Sequence, residues 1–345
     1  MLARMRRNVA LAPLTTLGIG GPAKLFADAR SVEEVRDAVE WAKSNGEPLL
    51  VLAGGSNVLI ADEGFHGLVL HLDLRGVEAA NGTVTAAASE PWDQLVAMAV
   101  AKGWAGVECL SGIPGSTGAT PIQNVGAYGQ DVSETIVRVD VFDRPTGRLT
   151  SLSNAECRFE YRDSVFKHEA KDRYIVLSVT FQLRPGGPPL LRYPELQDFA
   201  GDDADLQQVR DAVIAIRRRK GMVIDPADPD TRSDGSFFMN PIVSAEKFAQ
   251  LGDMPHYPAR EKIKLSAAWL IEHAGFQKGF VHGKVGISSK HTLAIINRGG
   301  GTAREVLELV GMIQDRVREK FGVELQPEPN FIGFDVRRAS DRTPA

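Results

Sequence analysis

The chain has 345 residues, of which 43% are hydrophobic and 24% charged, with a formal net charge of -4 and a pI near 6.0. This composition is typical of a globular protein with a large core, and at about 100–200 residues per domain it predicts two or three domains. The charge gives no electrostatic case for nucleic-acid binding. No stretch approaches the roughly 18 consecutive apolar residues of a membrane-spanning helix, so we expect no membrane association.

The amino terminus, residues 1–21, resembles a secretory signal because arginines precede an apolar stretch. Pro13 and Gly18 interrupt that stretch, whereas a signal needs a clean run of about 7–15 apolar residues. Cys109 and Cys157 lie far apart and lack the spacing of a metal site, and two reduced, buried thiols are favoured over a disulfide. We therefore expect a cytoplasmic protein that binds no metal.

The first elements form a strand–helix–strand order from 24 to 53. The helix is predicted over 31–43, with Ser31 as N-cap and Glu34 in the position that a capping box requires. The apolar run at 49–53 predicts a buried strand.

Later elements are predicted from periodicity, turn residues and helix-stop signals. They are short strands and a helix within 68–100, a β-hairpin over 137–152, a strand over 174–183, helices over 205–219 and near 265–275, a strand over 291–297, and a helix from Ala303 to Phe321. Thr302 and Glu305 predict a capping box for the last helix, and Gly322 predicts its end.

Two glycine-rich stretches are candidates for ligand binding. The GGSN sequence at 54–57 follows a strand and could form a nest of N–H groups for a pyrophosphate, or a plain turn. The stretch 111–131 is rich in glycine and amides, and is either a functional loop or an elaborate structural one. No G-x-G-x-x-G follows a strand, which disfavours a Rossmann site.

Seven segments occur in a fixed order over about nine-tenths of the chain. They are LGIGGPA at 17–23, AGGSNVLI at 53–60, GIPGSTGATPIQNVGAYG at 112–129, YRDSVFK at 161–167, DGSFFMNP at 234–241, GKVGISSKHTLAIIN at 283–297 and LQPEPNFIG at 325–333. Together they resemble the family of UDP-N-acetylenolpyruvoylglucosamine reductases. LRYPEL at 191–196 is similar to the tyrosine-bearing loop of the larger branch of that family.

The resemblance implies an α+β fold of three domains. Two form an FAD-binding unit of the vanillyl-alcohol-oxidase type, and a third α/β domain closes over the substrate. The expected boundaries are 1–71 for the first FAD-binding subdomain, 72–217 with a C-terminal return over 325–345 for the second, and 218–324 for the substrate-binding domain.

The implied cofactor is non-covalent FAD, with NADPH as the hydride donor. In the family, the GGSN turn holds the FAD pyrophosphate, and the loop matching 112–129 lines the flavin. The implied cofactor-binding residues are Gly54, Gly55, Ser56, Asn57, Pro114, Gly115, Ser116, Gly118, Gln123, Asn124, Gly126, Ala127 and Tyr128.

The implied reaction reduces UDP-N-acetylglucosamine enolpyruvate to UDP-N-acetylmuramate for peptidoglycan synthesis. Hydride addition at the β-carbon leaves an enolate whose charge must be stabilised, a role that matches Arg162. Ser236 matches the proton donor to the α-carbon, and Glu328 matches the acidic partner that shares a proton.

The implied substrate-binding residues are Tyr161, Tyr193, Lys220, Asn240, Lys278 and His291. Tyr193 matches the tyrosine that closes over the substrate diphosphate, and the two lysines offer point charges to phosphate. The expected partners are these small molecules, with no nucleic acid, and we expect a monomer.

Two positions depart from the family pattern. Met239 stands where the segment often has lysine, which removes a charge beside the Ser236 turn. Asn330 stands where the glutamate segment often has arginine, which removes a cation that could orient Glu328.

Two alternative functions remain open at this point. One is another FAD-dependent oxidoreductase on the same scaffold, in which His66 or Cys109 could attach the flavin covalently. The other is a non-catalytic module that binds a nucleotide sugar.

Overall fold

A computed structural model describes residues 5–334 of the chain. The chain divides into two compact units, each of several segments. Unit 1 comprises Met1–Val9, Ala23–Gly55 and His66–Val223, and unit 2 comprises Ala10–Pro22, Ser56–Phe65 and Ile224–Ala345. The end of the predicted return segment 325–345 lies outside the described residues, and the three-domain division stays a prediction.

Strands are numbered in chain order and are mostly short. They are β1 (Arg6–Ala10), β2 (Pro22–Ala29), β3 (Leu49–Leu52), β4 (Val58–Ile60), β5 (Phe65–Leu72), β6 (Val77–Ala80), β7 (Thr83–Ala87), β8 (Trp104–Ala105), β9 (Gly126–Ala127), β10 (Gln130–Asp131), β11 (Ile136–Asp143), β12 (Arg148–Ser153), β13 (Tyr174–Gln182), β14 (Arg184–Pro185), β15 (Ile242–Val243), β16 (His256–Ala259), β17 (Lys262–Leu265), β18 (Val281–His282), β19 (Val285–Ile287), β20 (Ile295–Asn297) and β21 (Asn330–Ile332).

Helices are numbered in the same way. They are α1 (Val32–Asn45), α2 (Trp92–Ala101), α3 (Asn154–Cys157), α4 (Pro194–Ala200), α5 (Leu206–Arg219), α6 (Ala245–Ala249), α7 (Ala267–His273) and α8 (Ala303–Phe321). No helix in the described part of the chain combines the length and apolarity needed to cross a membrane.

Unit 1 contains two larger sheets. The first has the strand order β1-β2-β5-β3, with β3 and β5 parallel, and the second has the order β12-β11-β13-β7-β6, all antiparallel. Apolar side chains of α1 pack with those of β2 and β5 and with Phe142, Ile175 and Leu177 of the second sheet. The predicted strand–helix–strand order and the β-hairpin around 137–152 are confirmed.

The predicted capping box of α1 is only half formed. Ser31 Oγ accepts the N–H of Glu34 at 3.2 Å, as expected. The Glu34 carboxylate reaches one residue further back and accepts the N–H of Arg30 at 2.7 Å, so it does not bond the N-cap residue.

Unit 2 is built around α8. The predicted bounds of this helix are confirmed, with Thr302 and Glu305 in a complete capping box and Gly322 left-handed at φ 58°. Its buried face packs on α7 and on two three-stranded sheets, ordered β15-β17-β16 and β18-β19-β20. Leu17 and Leu59, from two distant stretches of the chain, complete this core.

Two predictions in unit 2 need correction. The strand expected over 291–297 is shorter, because the N–H of Ala294 bonds the carbonyl of His291 at 3.1 Å and closes a turn before β20 begins. The hairpin of β16 and β17 was not predicted, since its turn residue in the left-handed region is Arg260, at φ 53°, rather than glycine or asparagine.

We expect Thr302→Ala to weaken the first turn of α8 by about 1 kcal/mol, because the N–H of Glu305 loses its acceptor. Amide hydrogen exchange should therefore accelerate at Glu305. Ser31→Ala, which removes the corresponding bond at α1, is the matched comparison and leaves α8 unaffected. Unchanged exchange at Glu305 would contradict the assignment of Thr302 as a cap.

Candidate active site

Two glycine-rich segments of unit 1 approach each other backbone to backbone. A Cβ atom on Gly54 would lie 2.8 Å from Gly115 Cα and 3.1 Å from Ser116 N, so neither segment has room for a side chain there. Gly55 and Gly115 have positive φ, at 55° and 110°. Ser116 Oγ is buried and has no hydrogen-bond partner among the described residues. A backbone surface with an unsatisfied hydroxyl suits an anionic group such as a pyrophosphate.

The stretch 111–131 is more regular than the sequence predicted. It contains a 3-10 turn at Thr117–Ala119 and the two-residue strands β9 and β10. The N–H of Gly118 bonds the carbonyl of Ala88 at 2.8 Å, and a Cβ on Gly118 would clash with that residue. This stretch is therefore an ordered surface fixed to the end of β7, on which Pro114, Gln123 and Ala127 are half-buried.

Arg162 lies in a pocket of backbone carbonyls from the same stretch. Its guanidinium donates to the carbonyls of Gly126 and of Asn124, the latter at 3.4 Å, and its Nη1 lies 3.5 Å from Asp131 Oδ1. The guanidinium carbon lies 5.2 Å from the centroid of the Tyr161 ring. The structure thus brings Arg162, Tyr161, Asn124 and Gly126 together.

Three of the predicted residues have a left-handed backbone although they are not glycines. Asn124, Tyr128 and Arg162 have φ of 45°, 50° and 54°. Such conformations cost about 1–3 kcal/mol each and cluster at functional sites. The buried Asn124 side chain fixes this geometry, since it donates to the carbonyl of Glu160 at 2.9 Å and accepts the N–H of Ser133 at 3.1 Å.

Tyr128, Tyr193 and Lys220 form a second group in unit 1. The two tyrosine rings meet edge to face with centroids 5.5 Å apart, and Lys220 Nζ lies 5.9 Å from the Tyr128 centroid. Burial raises the pKa of Tyr128 to about 12, so its hydroxyl stays protonated. Glu195 bonds Lys220 at 2.6 Å and was not predicted as a site residue.

In unit 2, Ser236 and Glu328 lie on adjacent backbone segments. The N–H of Glu328 bonds the carbonyl of Phe237 at 2.8 Å, Phe238 pairs with Pro327, and the N–H of Met239 bonds the carbonyl of Gln326 at 2.9 Å. Ser236 follows Gly235, which has φ 76°. The structure therefore brings together the two residues that the resemblance implied for proton transfer.

Asn57 and Asn330 extend this ladder. Asn57 Nδ2 donates to the carbonyl of Glu328 at 3.3 Å, and its own carbonyl accepts the N–H of Asn330 at 3.0 Å and the Asn330 side chain at 3.4 Å. Asn330, which replaces the arginine of the family pattern, thus fixes the backbone beside Glu328. In the GGSN turn, Gly54 and Gly55 belong to unit 1, whereas Ser56 and Asn57 belong to unit 2.

The remaining predicted residues also lie in unit 2. Asn240 Oδ1 accepts the N–H of Ala267, the first residue of α7, at 2.9 Å, a structural use of its oxygen that the sequence did not predict. His291 is half-buried, and its N–H bonds Ser288 Oγ at 3.2 Å, while Lys278 is exposed. Within residues 5–334, no three His, Cys, Asp or Glu side chains group closely enough to hold a metal ion.

Asp234, two residues before Ser236, is a buried carboxyl that the sequence did not single out. It is 6% exposed. Its Oδ1 accepts from Thr16 Oγ1 at 3.3 Å, and its Oδ2 has no hydrogen-bond partner among the described residues. Burial raises the pKa of this carboxyl to about 8, against a smaller lowering by the Thr16 hydroxyl.

Two family models match different parts of the sequence. Residues 226–332 match the family model of the UDP-N-acetylenolpyruvoylglucosamine reductase C-terminal domain, and residues 23–153 match that of the FAD binding domain. The UDP-N-acetylenolpyruvoylglucosamine reductase of Thermobifida fusca (strain YX) is 49% identical over 358 residues, covering 97% of this chain and 100% of the relative. The Mycobacterium tuberculosis (strain ATCC 25177 / H37Ra) protein of that name is 44% identical over 354 residues, covering 96% of each chain.

One solved structure is similar over nearly the whole length. The crystal structure of UDP-N-acetylenolpyruvylglucosamine reductase (MurB) from Thermus caldophilus superposes with a TM-score of 0.66 at 27% identity, covering 95% of this chain and 99% of that one.

We expect Gly126→Ala to lower turnover about 100-fold, because the added methyl would overlap Asp131 Oδ1 and lie 2.9 Å from Arg162 Nη1. Steady-state kinetics on the flavin-loaded protein measures this. Gly147→Ala is the control for the added methyl group. A Cβ atom at this position meets nothing within 4 Å, although the φ of 68° strains the backbone of the variant. Equal turnover in both variants would show that the position of Arg162 is not critical.

Asp234 should make stability fall as pH rises. Between pH about 4 and about 8 the folded protein keeps a proton on Asp234 that the unfolded chain releases. The free energy of unfolding therefore falls by roughly 5–6 kcal/mol as the pH rises through this range. Asp234→Asn removes this dependence, so the difference between the wild-type and variant urea midpoints should change steadily from pH 5 to pH 8. A difference that is constant with pH would contradict the assignment.

Proposed function

The chain belongs to the family of UDP-N-acetylenolpyruvoylglucosamine reductases, and from this premise we propose how its own residues carry out the reaction. The predicted family, α+β fold and FAD-dependent oxidoreductase activity are confirmed. The reaction is the NADPH-dependent reduction of UDP-N-acetylglucosamine enolpyruvate to UDP-N-acetylmuramate in peptidoglycan precursor synthesis. When bound, FAD supplies the hydride-transfer chemistry between NADPH and the enolpyruvyl group.

The GGSN turn and the stretch 112–129 are the proposed cofactor-binding elements. The close approach of Gly54 and Gly115 leaves backbone groups uncovered by side chains, and the buried Ser116 hydroxyl offers a further hydrogen bond. Both features fit a pyrophosphate. Attachment is non-covalent in this proposal. Cys109 is fully buried and its thiol donates to the carbonyl of Leu190 at 3.1 Å, which disfavours a covalent bond through that residue.

Arg162 stabilises the enolate in this proposal. Hydride addition at the β-carbon places negative charge on the enolate and carboxylate oxygens, and donors already aimed at those oxygens lower the barrier most. The carbonyls of Gly126 and Asn124 fix one side of the guanidinium, so its orientation needs no adjustment during the reaction. A planar guanidinium also binds a carboxylate through two parallel hydrogen bonds, which lysine cannot do.

Ser236 donates the proton to the α-carbon, and Glu328 shares a proton with the substrate's carboxylate oxygens. The single observation that carries this assignment is the hydrogen bond from Glu328 N to Phe237 O, which holds the two residues on neighbouring segments. A serine hydroxyl is a weak acid, but the strongly basic enolate carbon supplies the driving force.

The substrate's UDP moiety is bound by Tyr193, Lys220, Asn240, Lys278 and His291, with Tyr161 beside Arg162. The edge-to-face contact with Tyr128 orients Tyr193, and Lys220 supplies a positive charge beside it. We further propose a cytoplasmic location, since the two cysteines are both free and buried, which suits a reducing compartment. The expected monomer stays a prediction.

Anaerobic stopped flow on the flavin-loaded protein tests the assignment. NADPH should bleach the flavin absorbance, and UDP-N-acetylglucosamine enolpyruvate should restore it. Bleaching without restoration by this substrate would favour another oxidoreductase on the same scaffold. A protein that binds UDP but shows neither change would be a nucleotide-sugar binding module.

We expect Ser236→Ala to slow flavin reoxidation by the substrate about 10²–10⁴-fold, because it removes the proton donor. The rate of flavin reduction by NADPH should remain that of the wild type, which separates a lost proton donor from a damaged flavin site. Ser151→Ala, on β12, controls for loss of a serine hydroxyl. Equal slowing of both half-reactions would count against the role of Ser236.

A further inference from the structure

The segment that carries Tyr193 is fastened to the rest of unit 1 at several points, and two of them differ in kind. At its base, the N–H of Leu190 bonds Glu108 Oε1 at 2.8 Å, and Glu108 is fully buried. At the other point, Glu195 Oε2 lies 2.6 Å from Lys220 Nζ. This second attachment is partly open to solvent, with the two side chains 37% and 32% exposed.

The two attachments differ in strength. The Glu108 carboxylate also accepts the N–H of Gly106 at 2.6 Å and the Gln130 side chain at 3.3 Å, so breaking its bonds would leave a buried charge unsatisfied. A partly exposed ion pair such as Glu195–Lys220 contributes little to stability, because water and salt screen it. The hydrogen bond at Leu190 therefore persists while ligands bind, whereas the contact between Glu195 and Lys220 breaks and re-forms readily.

Glu195 occupies the position that an anionic ligand of Lys220 would take. A carboxylate and a phosphate present the same kind of oxygen to a lysine ammonium group, which acts as a point charge. Arg217, three residues before Lys220, has a buried Nε without a hydrogen-bond partner among the described residues. Lys220 also ends a run of four cationic residues, 217–220, and Glu195 supplies a balancing negative charge.

We propose that Glu195 is a positioning residue whose carboxylate holds Lys220 until the substrate diphosphate displaces it. Displacement removes this attachment of α4, which follows Tyr193 directly, while the base at Leu190 and the buried packing of Leu196 stay fixed. Binding of the diphosphate and release of the Tyr193 segment from Lys220 are thereby coupled through one ion pair. This inference rests on the role of Lys220 given in the proposed function.

Calorimetric titration of the FAD-loaded protein with UDP tests this exchange, in which the diphosphate replaces the Glu195 carboxylate on Lys220. Glu195→Gln removes the competing charge and should tighten UDP binding about two- to fivefold. Glu195→Asp keeps the charge and should bind UDP nearly as the wild type does. The substrate KM should fall in Glu195→Gln by the same factor, with flavin reduction by NADPH unchanged.

Glu134→Gln is the matched control. Glu134 pairs with Arg192 of the same segment at 2.9 Å and is also 37% exposed, but it does not bond Lys220. If Glu134→Gln tightens UDP binding as much as Glu195→Gln, a general loosening of the segment explains the effect and the exchange is overturned.

Lys220→Met separates this inference from the proposed function. A loss of tenfold or more in UDP affinity supports Lys220 as a phosphate ligand. If that loss occurs and Glu195→Gln binds UDP no tighter than the wild type, the exchange is overturned and the role of Lys220 stands. An unchanged affinity in Lys220→Met overturns both.

Discussion

The candidate site of unit 1 depends on how closely backbone segments approach where side chains are missing. Gly54 lies against the backbone of Gly115, Gly118 against Ala88, and Gly126 against the side chain of Asp131, each with too little room for a Cβ atom. Close packing of this kind leaves N–H and carbonyl groups exposed to a ligand without intervening carbon. The same approach at Gly126 lets its carbonyl reach Arg162, so a glycine determines where the site's main positive charge lies.

Backbone hydrogen bonds rather than side-chain pairs fix the important groups in both units. Arg162 is held by two carbonyls, and Glu328 is held through its own N–H and carbonyl by Phe237 and Asn57. Such contacts survive many substitutions, because they involve backbone atoms and depend on the backbone conformation rather than on the side chain. This explains how Asn330 can replace the family's arginine: its amide and N–H both bond Asn57 and keep that conformation. For Met239, only the backbone bond is evident, and nothing in the structure explains the loss of the lysine charge.

Local signals in the sequence predicted much of the fold. Caps and apolar periodicity gave α1, α5 and α8 to within two residues, because these signals lie next to the elements they define. The hairpin of β16 and β17 in unit 2 carried no such signal, as the Arg260 turn shows. The candidate site was predicted only through the ordered family motifs. Asp234 and Glu195 were missed since their importance arises from partners elsewhere in the chain: Thr16 is 218 residues from Asp234, and Lys220 is 25 residues from Glu195.

The discontinuity of unit 2 has a consequence for synthesis of the chain. Leu17 and Leu59, both fully buried in the finished core, belong to the segments Ala10–Pro22 and Ser56–Phe65, whereas α7 and α8 belong to the segment that begins at Ile224. At roughly 5–20 residues per second, translating the intervening stretch of about 160 residues takes on the order of 8–30 s. During that interval these leucines have left the ribosome without the helices that cover them. Unit 1 can fold in the meantime, but the surroundings of Ser236 and Glu328 form only after translation is nearly complete.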